Sequence, residues 1–309
     1  MSNQASSDQL NHITGMVNSH LTEDRAQGVI TNGDLLSMFI EAGPVLKHVD
    51  REKFREALNI LINPYASEIT ESSYSYPANY EPKTVAEQIE VLQKIYKNLN
   101  LDASQVLKIA ESIELPDGAE FLQVVPKLSA IAKAKGIRDP YGSNYGKCLE
   151  IMLLAISTSR TGFKNYREGA LTKKHVRLLA STRRALIKLE KETLGDFLVI
   201  PMQSGLLYRG SSVRRAVWEI EHNSNQWALP SWVVGHHLLT NPDRLSSNKD
   251  LNIDCPGDQY SPGADGGWSS GLSFDFDDVL RFGCSWVYDV GRLWSSASGF
   301  SPECSSLDS

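Results

Sequence analysis

The chain has 309 residues, 41% of them apolar and 22% charged, with a net charge of −6. That balance is the one of an ordinary soluble protein, long enough for about two domains and a real core. No apolar run approaches the roughly 18 residues of a membrane span, the first ten residues lack the basic-then-apolar pattern of a secretory leader, and a cytoplasmic protein with no membrane partner is expected.

Charge is unevenly spread. Residues 1–159 carry 14 Lys+Arg against 20 Asp+Glu, residues 160–240 carry 13 against 6, and residues 241–309 carry 4 against 11. Either the basic middle and the acidic end neutralise each other inside the fold, or the basic middle meets an anionic partner. Cys148, Cys255, Cys284 and Cys304 form no C-x-x-C pair, so neither a zinc ribbon nor a redox motif is present. Reduced thiols are expected, with a Cys255 to Cys284 or Cys284 to Cys304 bridge left open for an exported chain.

In chain order, residues 1–20 read as a flexible start. Helical patterns follow from 21 to 194. Asn32-Gly33-Asp34 opens one over residues 35–40, and Asp50 caps another that ends at Asn63-Pro64. Residues 64–82, with Tyr65, Tyr74, Tyr76 and Tyr80, read as a linker or surface loop. Thr84 starts a helix with Val85, Ile89, Leu92 and Ile95 at 3–4 spacing, and Asp102 caps the next. Further helices are expected over 118–135 with a bend at Pro126, over 142–158, and over 172–192.

The pattern changes near Leu194-Gly195. Residues 197–200 and 206–208 read as strands around the turn Gln203-Ser204-Gly205. Ser211 or Ser212 caps a helix over 213–222, and Ser231 caps another over 232–239. Short antiparallel strands are expected at 272–276, 279–282, 286–288 and 292–294, with turns at 254–265 and 296–299. The fold class is therefore α+β: a helical N-terminal bundle or array followed by a small Trp-rich α+β domain over 195–302 with short antiparallel strands, then a tail over 303–309.

Chemistry concentrates in three places. Lys173, Lys174, Arg177, Arg183, Arg184, Lys188 and Lys191 populate the basic stretch and can neutralise phosphates, so nucleic acid is a possible partner through residues 160–215. Arg209, Ser211, Ser212, Arg214 and Arg215 lie where a strand hands over to a helix, and a helix N-terminus flanked by arginines suits an anionic ligand. Asp254, Asp258 and Asp265 are candidate oxygen ligands for Ca²⁺. They do not make an EF-hand, because Pro256 and Gln259 stand at positions 3 and 6 and the last position is Asp. Asx-turns are the competing explanation. His236-His237 cannot easily share a metal as helix neighbours, and one buried and one exposed ring is expected. The six tryptophans, all beyond residue 217, either line a pocket or fill a core. No cofactor is named by these residues alone.

Two resemblances bear on the last third. Arg209-Gly210-x-Ser212-Val213-Arg214-Arg215-Ala216, Leu238-Leu239-Thr240-x-Pro242, Ile253-Asp254-Cys255-x-Gly257-Asp258 and Ser296-Ala297-Ser298-Gly299-Phe300 resemble uncharacterised hypothetical proteins of candidate-phyla bacteria. That resemblance implies one domain and no activity. Leu207-Tyr208-Arg209-Gly210 resembles the strand carrying the NAD-binding arginine of ADP-ribosyltransferases, and Trp268-Ser269-Ser270-Gly271-Leu272 is loosely similar to that family's Ser-Thr-Ser strand. It implies NAD as cofactor, held by Arg209, with Glu303 orienting the acceptor. The chain departs from that family in having only Ser301-Pro302-Glu303 where a Glu-x-Glu or Gln-x-Glu belongs. The expectation is thus a non-enzymatic binding protein with an anionic ligand or protein partner, the alternatives being an NAD-using transferase or, from the helical array and the Tyr-rich segment 65–80, a structural or assembly protein.

Overall fold

The computed structural model describes residues 63–223 and 225–301. The helices expected around residues 35–40 and 51–62, the flexible start, the tail, Glu303 and Cys304 lie outside the described residues. One compact unit begins at Ser67. Among its described residues it is mixed α/β, with seven α-helices and two sheets. The helices and strands are α1 (Val85–Ile95), α2 (Val106–Glu111), β1 (Phe121–Pro126), α3 (Leu128–Ala134), α4 (Tyr145–Ser159), β2 (Lys164–Asn165), β3 (Val176–Leu178), α5 (Ala180–Glu192), β4 (Phe197–Gln203), α6 (Val213–Glu221), β5 (Gln226–Ala228), α7 (Ser231–Thr240), β6 (Ile253–Tyr260), β7 (Ser270–Asp277), β8 (Val279–Trp286) and β9 (Ser298–Phe300). Single 3₁₀ turns occupy Leu206–Tyr208 and Pro242–Arg244. No described helix is long and apolar enough to cross a membrane.

One sheet has the order β1-β4-β9-β5, all antiparallel, and the other the order β2-β8-β7-β6-β3, antiparallel except for β2 against β8. β1, β2 and β3 all precede the boundary expected at Leu194-Gly195, and they pair with strands that follow it. The stretch expected to be helical alone therefore contributes to both sheets.

α7 occupies the centre. All ten of its residues are buried, and it packs on α4, α1, β1 and β6. Its apolar residues fill most sides, and its histidines and Thr240 find hydrogen-bond partners within the core, so it can be buried all round. Its N-terminal cap, Pro230, offers no side-chain acceptor, so Asp258 supplies one from β6, its Oδ2 accepting the Ser231 N–H at 2.7 Å. His236 and His237 are both fully buried, correcting the expected one-in, one-out pair. His236 Nδ1 donates to the Trp232 carbonyl and its Nε2 meets the Tyr96 hydroxyl at 2.8 Å. His237 Nδ1 meets Gln123 Oε1 at 2.8 Å, and its ring stacks on Phe121. Desolvation pushes the His236 pKa down to about 4 and lowers that of His237 as well, so both rings stay neutral.

Several sequence expectations fail, most of them for identifiable reasons. The helix expected over 118–135 is β1 followed by α3. Phe121–Pro126 is a short apolar run, which strand and helix share, and Pro126 closes the strand. α3 then has no side-chain cap of its own. Glu190 of α5 caps it from outside, accepting the Leu128 N–H at 2.8 Å, while Lys127 Nζ donates to the Glu190 carbonyl at 3.0 Å. The long helix expected over 172–192 is a turn, then β3, then α5, because Val176–Leu178 alternates buried, exposed, buried against β6. The turns expected over 254–265 begin only after Tyr260. Residues 253–260 are β6, with a bulge between Cys255 and Tyr260 that accommodates Pro256 and Gly257. A Cβ on Gly257 would stand 2.5 Å from the Ala228 carbonyl oxygen, so the strand needs glycine for close approach. The strand expected at 206–208 is a 3₁₀ turn, no strand follows Trp286 within 286–294, and the turn expected at 296–299 runs into β9.

Register excludes the Cys255 to Cys284 bridge, while the Cys284 to Cys304 alternative involves a residue outside the described ones. Cys255 and Cys284 both stand opposite Leu272, one on each side of β7. Two strand spacings are about 9–10 Å, beyond the roughly 7 Å a disulfide can span. Cys148, Cys255 and Cys284 are free thiols.

Candidate anion-binding surfaces

The strand-to-helix junction forms around the 3₁₀ turn Leu206–Tyr208 and the start of α6. Ser212 caps α6, its Oγ accepting the Arg215 N–H at 3.2 Å. The same hydroxyl donates to Glu68 Oε2 at 2.6 Å, and Arg214 Nε reaches the two Glu68 oxygens at 2.9 and 2.8 Å. Glu68 arrives on an extended segment. Its carbonyl accepts the Ser212 N–H at 3.0 Å, Ile69 bridges Ser211, and the Thr70 N–H donates to the Gly210 carbonyl at 2.9 Å. Gly210 has φ of +75°, and a Cβ there would lie 2.1 Å from the Thr70 carbonyl oxygen. The junction is thus shaped for a carboxylate, and the chain's own Glu68 is that carboxylate. Its pKa is lowered, first by the Arg214 hydrogen bond.

The other two arginines are also engaged. Arg215 Nε donates to Glu219 Oε1 at 2.9 Å one helical turn on. Arg209 Nη1 donates to the Tyr74 carbonyl at 2.9 Å. Arg209 follows a 3₁₀ turn, not the strand that the ADP-ribosyltransferase resemblance implies.

The three candidate metal ligands behave differently from one another. Asp258 is buried and spent on fold. Its Oδ1 accepts the Tyr145 hydroxyl at 2.7 Å while Oδ2 caps α7, and burial pushes its pKa up to about 6. Asp254 is buried with no partner for Oδ1, and desolvation raises it to about 8. Asp265 is exposed, its Oδ1 accepting the Gly267 N–H at 2.9 Å in an Asx-turn, and that bond lowers its pKa. Among the described residues no group of three or more His, Cys, Asp or Glu side chains could hold a metal ion.

The basic stretch has the opposite character from the junction. Lys173, Lys174, Arg177, Arg183, Arg184, Lys188 and Lys191 are all exposed. On α5 the buried residues Thr182, Leu186 and Glu190 define one side. Arg184, Lys188 and Lys191, at i, i+4 and i+7, fall on the side away from them. Among the described residues no ion pair joins this stretch to the acidic end. Asp275 and Asp277 of that end pair instead with Arg281 across their own hairpin.

Sequence reasoning missed two features. Glu68 carried no signal, since a lone Glu in a Ser- and Tyr-rich segment points to no partner 144 or 146 residues away. The other is an exposed aromatic group at the open end of the β7–β8 hairpin. Trp286 and Tyr288 are each 46% exposed and stack with centroids 5.8 Å apart and planes 12° apart. Arg214 stands over Tyr288 at 5.7 Å, and Arg177 over Trp268 at 4.0 Å. Of the six tryptophans only Trp227 and Trp232 belong to the buried core. Searches of protein-family models, of curated proteins and of solved structures give no match to this chain.

Proposed function

We propose that the protein binds a polyanion on the exposed face formed by α5 and the turn and strand that precede it. One observation carries this. Seven cations are exposed there with no ion pair among the described residues, and of these only Arg177 donates from its side chain to a described acceptor, Gln259 Oε1 at 2.8 Å, whereas the arginines of the strand-to-helix junction are taken up by Glu68, Glu219 and the Tyr74 carbonyl. A solvated row of like charges costs stability through mutual repulsion, and an anionic partner relieves that cost. The anionic partner expected from sequence is retained, and its seat moves from residues 209–215 to residues 173–191.

The test is a binding titration of the full chain with a phosphate polymer at several salt concentrations. Contact with four phosphates of a single-stranded polymer gives a slope of log affinity on log salt of about −3. The triple variant Arg184→Glu, Lys188→Glu, Lys191→Glu is expected to abolish binding, while Arg215→Gln is expected to leave it unchanged. Equal binding by wild type and triple variant would sink the proposal.

A further inference from the structure

We infer that the polyanion is a single-stranded nucleic acid, whose unpaired bases stack on the aromatic group at the open end of the β7–β8 hairpin. This rests on the polyanion reading above and adds the identity of the partner to it.

The end of the hairpin is built to hold large aromatic rings in the open. β7 and β8 pair in register from Asp277↔Val279 to Ser270↔Trp286. The ladder is extended by the Val287 N–H donating to the Ser269 carbonyl at 2.9 Å. The Val287 carbonyl in turn accepts the Arg214 N–H from the first turn of α6. The Asp289 N–H closes a turn on the Trp286 carbonyl at 3.1 Å. Backbone bonds on both flanks therefore fix the segment that carries Trp286 and Tyr288. The two rings are held nearly parallel without being buried. Burial is the ordinary use of a tryptophan, and the same chain uses Trp232 that way, 1% exposed with its Nε1 donating to the Pro126 carbonyl. A rigid, solvent-facing Trp–Tyr pair offers its face to a planar, apolar-surfaced ligand.

Charge then selects which planar ligand. Arg177 backs Trp268 at the same end of the sheet, while the Arg214 that stands over Tyr288 is already paired with Glu68. Arg177 lies on β3, between the exposed Lys173 and Lys174 and the start of α5. Arg177 thereby links the Trp268 end of the sheet to the basic stretch. Asp289, exposed beside Tyr288, repels a phosphate on its own side and leaves the Arg177 side as the path for the backbone. A base on an aromatic face with phosphates tracking along neighbouring cations is the mode by which proteins hold single strands, and it is tolerant of sequence. In a duplex the bases are stacked on one another and unavailable to such a platform.

The experiment uses the full chain with three labelled or competing polymers of matched phosphate number: a mixed-sequence single-stranded RNA, the same RNA as a duplex, and inorganic polyphosphate. The variants are Trp286→Ala and Tyr288→Ala, both at half-exposed positions, with circular dichroism and melting temperature confirming that the fold is kept. Expected are single strand tighter than polyphosphate or duplex, and a loss of about tenfold for the single strand in each variant. Polyphosphate affinity stays unchanged. Quenching of tryptophan fluorescence by the single strand, diminished in Trp286→Ala, is expected alongside. If polyphosphate and single strand bind alike and the variants change neither, the inference fails and the polyanion reading stands. If the duplex binds best, the inference fails in the same way. If no polymer binds, both fail. If sedimentation instead shows a concentration-dependent dimer that Trp286→Ala abolishes, the aromatic pair belongs to a contact between copies and the inference is again overturned.

Discussion

Two arginine-rich stretches lie within forty residues of each other, and the fold treats them in opposite ways. At the start of α6, Arg214 holds Glu68, Arg215 holds Glu219, and the nearby Arg209 holds a carbonyl. On α5, Arg184, Lys188 and Lys191 stand in water. The first stretch looked like the ligand site because it combined a helix N-terminus with three cations. Those are also the properties that let a fold anchor its own acidic side chain. The comparison teaches that a cation's availability depends on what the rest of the chain brings to it. The clearest internal case is Arg244. It is fully buried, donating to Ser204 Oγ at 2.9 Å, the Ser204 carbonyl at 2.7 Å and the Leu251 carbonyl at 2.9 Å, over the Tyr76 ring at 4.0 Å.

Arg244 gives the largest expected effect. Removing it in Arg244→Ala leaves two buried carbonyls without their donor and opens a cavity, and together these are expected to cost about 4 kcal/mol in urea unfolding. Arg244→Lys is expected to be nearly as damaging, since an ammonium cannot reproduce the planar fork that reaches three acceptors. A cost under about 1 kcal/mol would show that this arginine belongs with the exposed class instead.

Asp254 is the acidic mirror of that case, a buried charge-capable group with no cation. Desolvation puts its folded pKa at about 8. Between about pH 4 and pH 8 the folded state therefore holds a proton that the unfolded state has released. Stability falls as pH rises through that window, at up to about 1.4 kcal/mol per pH unit, and levels off above it. Asp254→Asn is expected to flatten the stability profile between pH 6 and 8, leaving a slope only below about pH 6, where Asp258 with its pKa of about 6 still acts. An unchanged profile in chemical unfolding across pH would count against the burial argument.

The Glu68–Arg214 pair should fall below both. It is bidentate but partly open, the Arg214 side chain being 40% exposed, so a double-mutant cycle with Glu68→Gln and Arg214→Ala is expected to give a coupling of about 1 kcal/mol. Its pH sign is opposite to that of Asp254. The Glu68 carboxyl is lowered from 4.5, so its contribution is present above that value and is lost as pH falls below it. Coupling near zero would return Arg214 to the pool of available cations and reopen the junction as a ligand site.

What the sequence made legible follows from how local each signal is. Thr84 starts α1 as expected, with Glu87 completing a capping box, and α4, α6 and α7 fall close to where they were expected. The strand β4 and the hairpin of β7 and β8 were also readable. The strands β1, β3 and β6 were not, because each is defined by a partner far along the chain: β1 by β4, β3 by the bulged end of β6, and β6 by β7 and by the closely approaching Ala228 carbonyl. The candidate sites divide in the same manner. The run of cations on α5 could be counted in the sequence, but whether they were paired depended on where the acidic end folded. Trp286-x-Tyr288 has the two-residue spacing of one strand face, and read that way it was the available hint of the exposed aromatic pair.

The smallest stability effect is expected at α5, and it is the sharpest test of the comparison. If the exposed cations hold nothing within the chain, Arg184→Glu, Lys188→Glu and Lys191→Glu should each change unfolding free energy by less than about 0.5 kcal/mol, as surface positions do. Converting them one at a time should also relieve repulsion along the i, i+4 and i+7 row, so the first reversal is expected to be neutral or slightly stabilising at low salt. That small gain should vanish as salt screens the row. A destabilisation of 1 kcal/mol or more at any of the three would mean that the cation has a structural acceptor, and α5 would then differ from the start of α6 only in which acids it serves.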